Sequence, residues 1–403
     1  MASERHVIIV GAGIAGLMAA LALRRAGCRV SIFEQTPELQ ESGAGIQLSP
    51  NATRALIALG LYERLAPHVI APQAIRVMAA ASGREIVHIP LGDAIAHNYG
   101  APYWAIHRGD LQAALASAAK AEPQIALRVG CYVENYTSDD ESVSVRGRAI
   151  HGRVDERGDA LIGADGIWST VAEKLRCGPA MFAGRTAWRA LVPAGQVTEE
   201  FRAPVINLWL GDDAHLVHYP VKAGRLINMV AIVRDEWREI GWSASAEREE
   251  ILRRCGRASW CDKVRTLIGT PDQWLKWALY ARGTPFDRGD GPVTLIGDAA
   301  HPMLPFLAQG AAMAIEDAAV LADSLHDNGD ISGALRAYER ARRRRTARAQ
   351  RAASAQGRVY GLSGPQAFIR DLGMRLMGGD ALLARQHWLY SWQTPKLLQN
   401  IAA

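Results

Sequence analysis

Three groups of residues in this chain have types and spacings that can do chemistry. Gly11, Gly13 and Gly16 form a Gly-x-Gly-x-x-Gly turn, and Glu34 follows 23 residues after Gly11. Gly11 permits a tight turn, Gly13 lets a pyrophosphate approach the backbone, and Gly16 lets a helix pack on a strand. The helix start beyond such a turn offers free N–H groups and partial positive charge to phosphates. A terminal acid such as Glu34 can accept hydrogen bonds from a ribose diol. The second group is His215 and Tyr219, in the alternating run His215-Leu216-Val217-His218-Tyr219. On a strand, His215, Val217 and Tyr219 share one face, while Leu216 and His218 take the other. A His and a Tyr two pleats apart can both reach one small aromatic ligand, and His218 is expected to be structural. The third group is Asp165 and Asp298, each followed or preceded by glycine at the end of an apolar run. A carboxylate at the carboxyl end of a parallel strand lies where open α/β sheets bind ligands.

The elements that must position these residues are legible around them. His6 to Val10 is short, apolar and β-branched, as a fully buried strand is. A helix is expected over Leu17 to Ala26, stopped by Gly27, with a second strand over Cys28 to Phe33. Strand, glycines, helix, strand and acid together mark a dinucleotide site without choosing between NAD and FAD. A second glycine-rich turn runs from Ser42 to Asn51, expected as a loop over a bound cofactor, before a helix over Ala52 to Leu65. Arg108 precedes Asp110-Leu111 at the start of a helix over Leu111 to Ala119. Pro302, Pro305 and Gly310 punctuate a shaped loop that feeds a helix from about Ala311. The stretch from about 180 to 285 alternates apolar and polar residues over Thr186–Val192, Val205–Leu210, His215–Tyr219 and Leu226–Val233. It reads as an antiparallel sheet. It carries no second glycine fingerprint, which disfavours reductases that need a second nucleotide domain.

Composition sets the outer bounds. A length of 403 residues suggests roughly two to three domains. With 49% hydrophobic and 22% charged residues the chain is ordinary for a globular protein. The net charge of +5 is small, and much of it lies between Arg340 and Arg351, so no broad basic face for nucleic acid is expected. That arginine run is interleaved with alanine and reads as the polar face of a long helix. Five cysteines without a CxxC spacing point to no disulfide framework and no metal site, and to a reducing cytoplasm. The apolar run Val7–Leu23 mimics an export signal, but it falls short of the ~20 residues needed to span a membrane and holds the glycine turn.

With Gly43-Ala44-Gly45-Ile46 after the β-α-β start, Ile162-Gly163-Ala164-Asp165-Gly166, and Leu295-Ile296-Gly297-Asp298-Ala299-Ala300-His301-Pro302, the chain resembles the FAD-dependent single-component aromatic hydroxylases. The likeness covers nearly the whole chain, and it is nearest to the salicylate, 3-hydroxybenzoate and 6-hydroxynicotinate hydroxylases. It extends to the loop and helix from Pro302 to Ala318 and to Trp388-Leu389-Tyr390-Ser391-Trp392. The resemblance implies an α/β architecture. A Rossmann-like FAD-binding domain (1–75, 102–178, 285–330) is interleaved with a mostly antiparallel β-sheet substrate domain (76–101, 179–284), and a helical segment (331–403) closes the chain.

It also implies site roles. Gly11, Gly13, Gly16, Glu34, Gly45, Gln47, Arg108, Asp165, Asp298, Pro305, Gly310, Ala311 and Ala312 would hold FAD, with NADH or NADPH as transient reductant. The helix start near Ala311 would stabilise negative charge on the N1/O2 edge of the reduced ring. His215 and Tyr219 would act on a small hydroxylated aromatic acid, hydroxylated by dioxygen through a flavin C4a-hydroperoxide. A base of near-neutral pKa that takes the phenol proton makes the ring more electron-rich. Gln47, Arg189 and Pro305 would line the substrate, Arg189 as a natural partner for a carboxylate. Phe306 and Gln309 are secondary candidates, and His301 is expected to organise its loop. The family often carries Arg where this chain has Ala172, which puts details of nicotinamide docking in question. An FAD oxidoreductase or oxidase without oxygen insertion, and a catalytically silent flavin-binding protein, remain as other readings. The expected partners are the aromatic acid and dioxygen, with no nucleic acid and no membrane span, in a monomer or homodimer.

Overall fold

The computed structural model describes residues 4–39, 43–150, 152–239, 244–256, 260–283 and 289–399. Ser42 of the second glycine turn lies outside them.

A five-stranded parallel sheet, in the order β19-β12-β1-β2-β8, carries the first fingerprint. Its strands are β1 (His6–Val10), β2 (Arg29–Phe33), β8 (Ile125–Arg128), β12 (Ala160–Gly163) and β19 (Val293–Leu295). Every residue of β1 is buried, as expected of a central parallel strand. The following helix spans Ile14–Arg25, three residues earlier than its apolar spacing suggested, because Gly13 already serves as its N-cap. Gly16 has no alternative there: a Cβ would stand 1.9 Å from the Gly11 carbonyl oxygen.

An eight-stranded sheet, in the order β17-β18-β13-β16-β15-β14-β5-β6, forms the second layer. Its strands are β5 (Ala74–Ala79), β6 (Glu85–Pro90), β13 (Met181–Pro193), β14 (Ile206–Leu210), β15 (Ala214–Val221), β16 (Leu226–Arg234), β17 (Ala244–Glu247) and β18 (Gln273–Ala281). Only the β14–β5 pair is parallel. Two small sheets complete the strands: β3 (Gly45–Leu48), β7 (Trp104–His107) and β4 (Val69–Ile70); and β9 (Cys131–Ser138), β10 (Val143–Ala149) and β11 (Gly152–Gly158). The stretch read as a loop over a cofactor is therefore partly strand, with Gly45–Leu48 paired antiparallel to Trp104–His107.

Two further expectations are corrected. The helix foreseen over Ala52–Leu65 is two, Pro50–Ala58 and Tyr62–Leu65. Gly60, at φ 75°, breaks it, and Pro50 presets its first turn. The arginine run does lie on a long helix, Ile331–Tyr360, but it is not all a solvated face. Arg342 is buried against helix Gly310–Asp327: its Nη1 meets Glu316 Oε2 and its Nε meets Asp317 Oδ1, both at 2.7 Å. Both carboxylates are fully buried, and the Arg342 cation helps to compensate them. Arg345 joins Glu316 to the carbonyls of Trp388 and Leu389, at 2.8 and 2.9 Å, and so ties down the end of the chain. The last long helix, Gly364–Ala384, bends at Gly378. Among the described residues no helix is long and apolar enough to cross a membrane.

Candidate active site

Residues of both large sheets line a cavity of about 1690 Å³. At one end lies the glycine turn. Gly11 has φ 102°, and a Cβ there would stand 2.5 Å from the Ala164 carbonyl oxygen. A Cβ at Gly13 would meet nothing within 4 Å, so the turn leaves open space where a phosphate needs to approach. Glu34 faces the cavity while its Oε2 accepts from the Ala12 N–H (2.8 Å) and its Oε1 from the Thr36 N–H (2.9 Å). It therefore braces the turn as well as offering its remaining lone pairs.

Asp165 and Asp298 reach the same cavity from the ends of neighbouring parallel strands. Asp165 Oδ2 accepts from the Thr170 N–H and hydroxyl, at 2.9 and 3.1 Å, and its buried Oδ1 has no partner. Burial pushes its carboxyl above the ordinary range. Asp298 lies deep in the molecule yet stays open to the cavity. Arg282 clamps the two loops together, donating to the Ile167 and Ala299 carbonyls at 2.8 Å each. Arg108 also lines the cavity, and its backbone N–H donates to Ala44 O at 2.7 Å. Gly45, Gln47, Pro305, Gly310 and Ala311 line it as well. Ala312 does not: its methyl is fully buried in the core. At a helix start, its backbone N–H is still one of the groups left for a ligand.

The alternation read in β15 places His215, Val217 and Tyr219 on the cavity wall. His218 points to the other face, between Phe201 and Trp209, with neither ring nitrogen partnered. Four residues of strand separate His215 from Tyr219 by ~13 Å. His215 is 2% exposed, packs on Phe306 and Tyr360, and has an unpartnered Nδ1. Burial, then the Arg185 cation, pushes its pKa down to about 3. The expectation of a near-neutral base is therefore wrong for the ligand-free site: His215 is held neutral. Tyr219 is buried beside Gln47, whose Oε1 accepts from the Tyr103 hydroxyl at 2.8 Å, and burial pushes the Tyr219 hydroxyl up. Arg189 sits over the Trp277 ring at 3.8 Å, lowered to about 9 by burial and by Arg108, and so still cationic near neutrality.

The other candidates sort plainly. Phe306 lines the cavity beside His215. Gln309 turns inward, donating to Ser49 Oγ at 2.9 Å. His301 Nε2 meets Asp317 Oδ2 at 2.5 Å, and the same oxygen accepts from the Gly297 N–H at 2.9 Å, which fixes the loop around Asp298. Ala172 is a core position, 1% exposed. Asn228, Tyr103, Tyr360 and Gln356 were missed. Asn228 faces Tyr219 in register, accepts from the Gly45 N–H at 2.7 Å and keeps a buried, unpartnered Nδ2. The Ala223-Gly224 turn could have revealed it, because it sets the β15–β16 register.

A glycine turn with open space at Gly13, an orphaned acceptor on Asp165 and free helix-start N–H groups fit FAD, and the antiparallel wall closes one cavity with them. Fold and site together define a flavoprotein whose cofactor cleft and substrate chamber are continuous. The comparisons agree. A family model described as "FAD binding domain" matches residues 4–354. The 3-hydroxybenzoate 6-hydroxylase 1 of Aquipseudomonas alcaligenes is 36% identical over 97% of this chain and 98% of its own length. The 3-amino-4-hydroxybenzoate 2-monooxygenase of Streptomyces cremeus is 37% identical over 96% of this chain and 94% of its own. A solved salicylate hydroxylase substrate complex is 26% identical with a TM-score of 0.81, covering 100% of this chain and 99% of that one. The chain belongs to the family of FAD-dependent aromatic hydroxylases.

Proposed function

We propose that this chain is an NAD(P)H-dependent monooxygenase that hydroxylates a small hydroxylated aromatic or heteroaromatic carboxylate. The observation that carries the reading is the shared wall: His215, Tyr219 and Arg189 face a cavity whose other end is the glycine turn. Bound FAD, reduced by NADH or NADPH, supplies the electrons and activates dioxygen. Residues 1–75, 102–178 and 285–330 would hold it, with Gly11, Gly13, Glu34, Arg108, Asp165 and Asp298 as the polar and backbone contacts and Gly16 packing the helix behind the turn. The ring acid lies on β13 and β15. Arg189 takes its carboxylate in a charge-assisted pair. Neutral His215 accepts a hydrogen bond from the substrate phenol, which leaves the ring more electron-rich. Tyr219 and Gln47 hold a second oxygen of the substrate, and Pro305 limits the ring's approach.

The reading is tested by a panel of hydroxybenzoates and hydroxypyridine carboxylates. NAD(P)H loss and oxygen uptake are followed, and products are identified by mass. Stoichiometric hydroxylated product supports it. Hydrogen peroxide alone would favour an oxidase, and a flavin that NAD(P)H fails to reduce with ligand present would favour a silent binding protein. A purified protein without flavin would sink all three.

A further inference from the structure

The cavity does not end at the polar wall. Crossing the sheet face from β15 through β14 and β5 to β6, one register row runs Val217, Leu208, Val77, Val87. Three strand spacings span ~14 Å. Along this walk the lining loses its polar groups and continues as Ile206, Leu208, Ile75, Val77 and Ile89. Helix Gly364–Ala384 roofs it with Met374, Leu382 and Leu383, and also with Gln366 and with Arg370, whose guanidinium donates to Asp371 and to the carbonyls of Val359, Tyr360 and Leu362. Ile75 and Ile89 are only half-buried although they face this interior space. Gly373 of the roof also lines the cavity, and a Cβ there would meet nothing within 4 Å. The cavity of about 1690 Å³ takes in the FAD cleft, from Gly11 and Glu34 to Asp298, as well as this apolar end.

We propose that this chamber takes an apolar substituent of the substrate, so that the preferred ring acid carries an alkyl or aryl group directed away from His215 and toward β5 and β6. The inference rests on the proposed hydroxylase reading. A bare ring acid engages the polar wall and leaves the apolar rows uncovered. A chain on the ring buries itself against them without needing any polar partner.

The test is binding to the oxidised, FAD-loaded enzyme, read by the flavin's absorbance and fluorescence. Hydroxybenzoates carrying methyl to butyl groups at each free ring position are titrated. At one position Kd should fall about fourfold per methylene, the equivalent of ~0.8 kcal/mol for each buried CH2. Gly373→Leu fills the open space beneath the roof, and the series should flatten after the first or second carbon while Kd for the unsubstituted acid is unchanged. Gly373→Ala, which adds one methyl, should keep most of the slope and shows that the helix tolerates substitution. A flat series at every position, with the parent acid still bound and hydroxylated, overturns the inference and leaves the hydroxylase reading standing. Octanoate binding alongside the parent acid, without competing with the alkylated acids, also overturns it. If no ring acid binds or is hydroxylated, both readings fall together.

Discussion

His218→Leu should make the protein more stable, and increasingly so as the medium is acidified. The ring is fully buried between Phe201 and Trp209, and neither nitrogen has a partner. Replacing it by a hydrocarbon side chain removes a buried, unsatisfied polar group, worth ~1–3 kcal/mol near neutral pH. A second contribution depends on pH. Burial, with Lys263 and Arg76, lowers the folded pKa to about 3, against about 6.5 in the unfolded chain. Below pH ~6.5 the unfolded chain therefore binds a proton that the folded chain does not. Wild-type stability falls by up to ~1.4 kcal/mol per pH unit from this group as pH drops from ~6.5 toward ~3. At pH 5 the variant should gain a further ~2 kcal/mol over its advantage at pH 7.5. The assay is urea unfolding of both proteins at several pH values, with FAD saturating throughout. A variant that is destabilised at pH 7.5, or whose advantage does not grow between pH 7 and 5, would refute the account of His218 as a dry, unpartnered ring.

Arg342→Met takes a buried cation from Glu316 and Asp317, leaving Glu316 to Arg345 and Asp317 to His301, and should cost less than the ~3–5 kcal/mol of a wholly uncompensated pair in denaturant unfolding, with weaker FAD binding as the Asp317–His301–Gly297 loop loosens. Asp317 is held down at about 2, so its share of stability is full above ~4 and lost as pH falls through about 2; without Arg342 that share should be smaller and its loss complete at a higher pH. His215→Asn should lower kcat ~10²–10⁴-fold with little change in FAD content, and the wild-type acid limb of kcat/KM should lie well below pH 6, because the free enzyme keeps His215 neutral down to about 3. Arg189→Met should raise KM for a carboxylate substrate ~10–100-fold and leave a decarboxylated phenol nearly unaffected. Gly13→Ala should give a folded apoprotein of wild-type melting temperature that no longer retains FAD, whereas Gly16→Ala should fail to fold, because its methyl meets a backbone oxygen that cannot yield.

The phosphate end of the site was readable because each of its demands falls on one residue type. A left-handed turn at Gly11 and close packing at Gly16 each exclude a side chain, and the space left open at Gly13 suits the approach of a phosphate. The His215–Tyr219 face was readable because a strand's period of two needs no knowledge of its neighbours. What escaped depends on distant partners. Asn228 joins the site through register across a hairpin, and Tyr360 and Gln356 arrive from a helix some 140 residues after β15. Arg342 looked like one more solvated arginine because nothing local shows that Glu316 and Asp317 are buried opposite it. The protonation of His215 was misjudged for the same reason: its lowered pKa comes from surroundings assembled by four elements.

The strand order of the parallel sheet has a consequence for how the chain is made. β1 leaves the ribosome well before its partners: its sheet is completed by β12 about 150 residues later and by β19 about 290 residues later. At ~5–20 residues per second, β1 waits roughly 8–30 s for β12, and the sheet waits roughly 15–60 s for β19. Until β12 arrives a buried strand with four apolar residues of five has an unpaired edge, and still later the apolar helix behind it lacks the helix Gly310–Asp327 that will cover it. The cofactor turn is thus made long before the elements that render it functional. A cell producing this enzyme has to shield that segment for most of its synthesis, and soluble yield should depend on chaperone supply and translation rate.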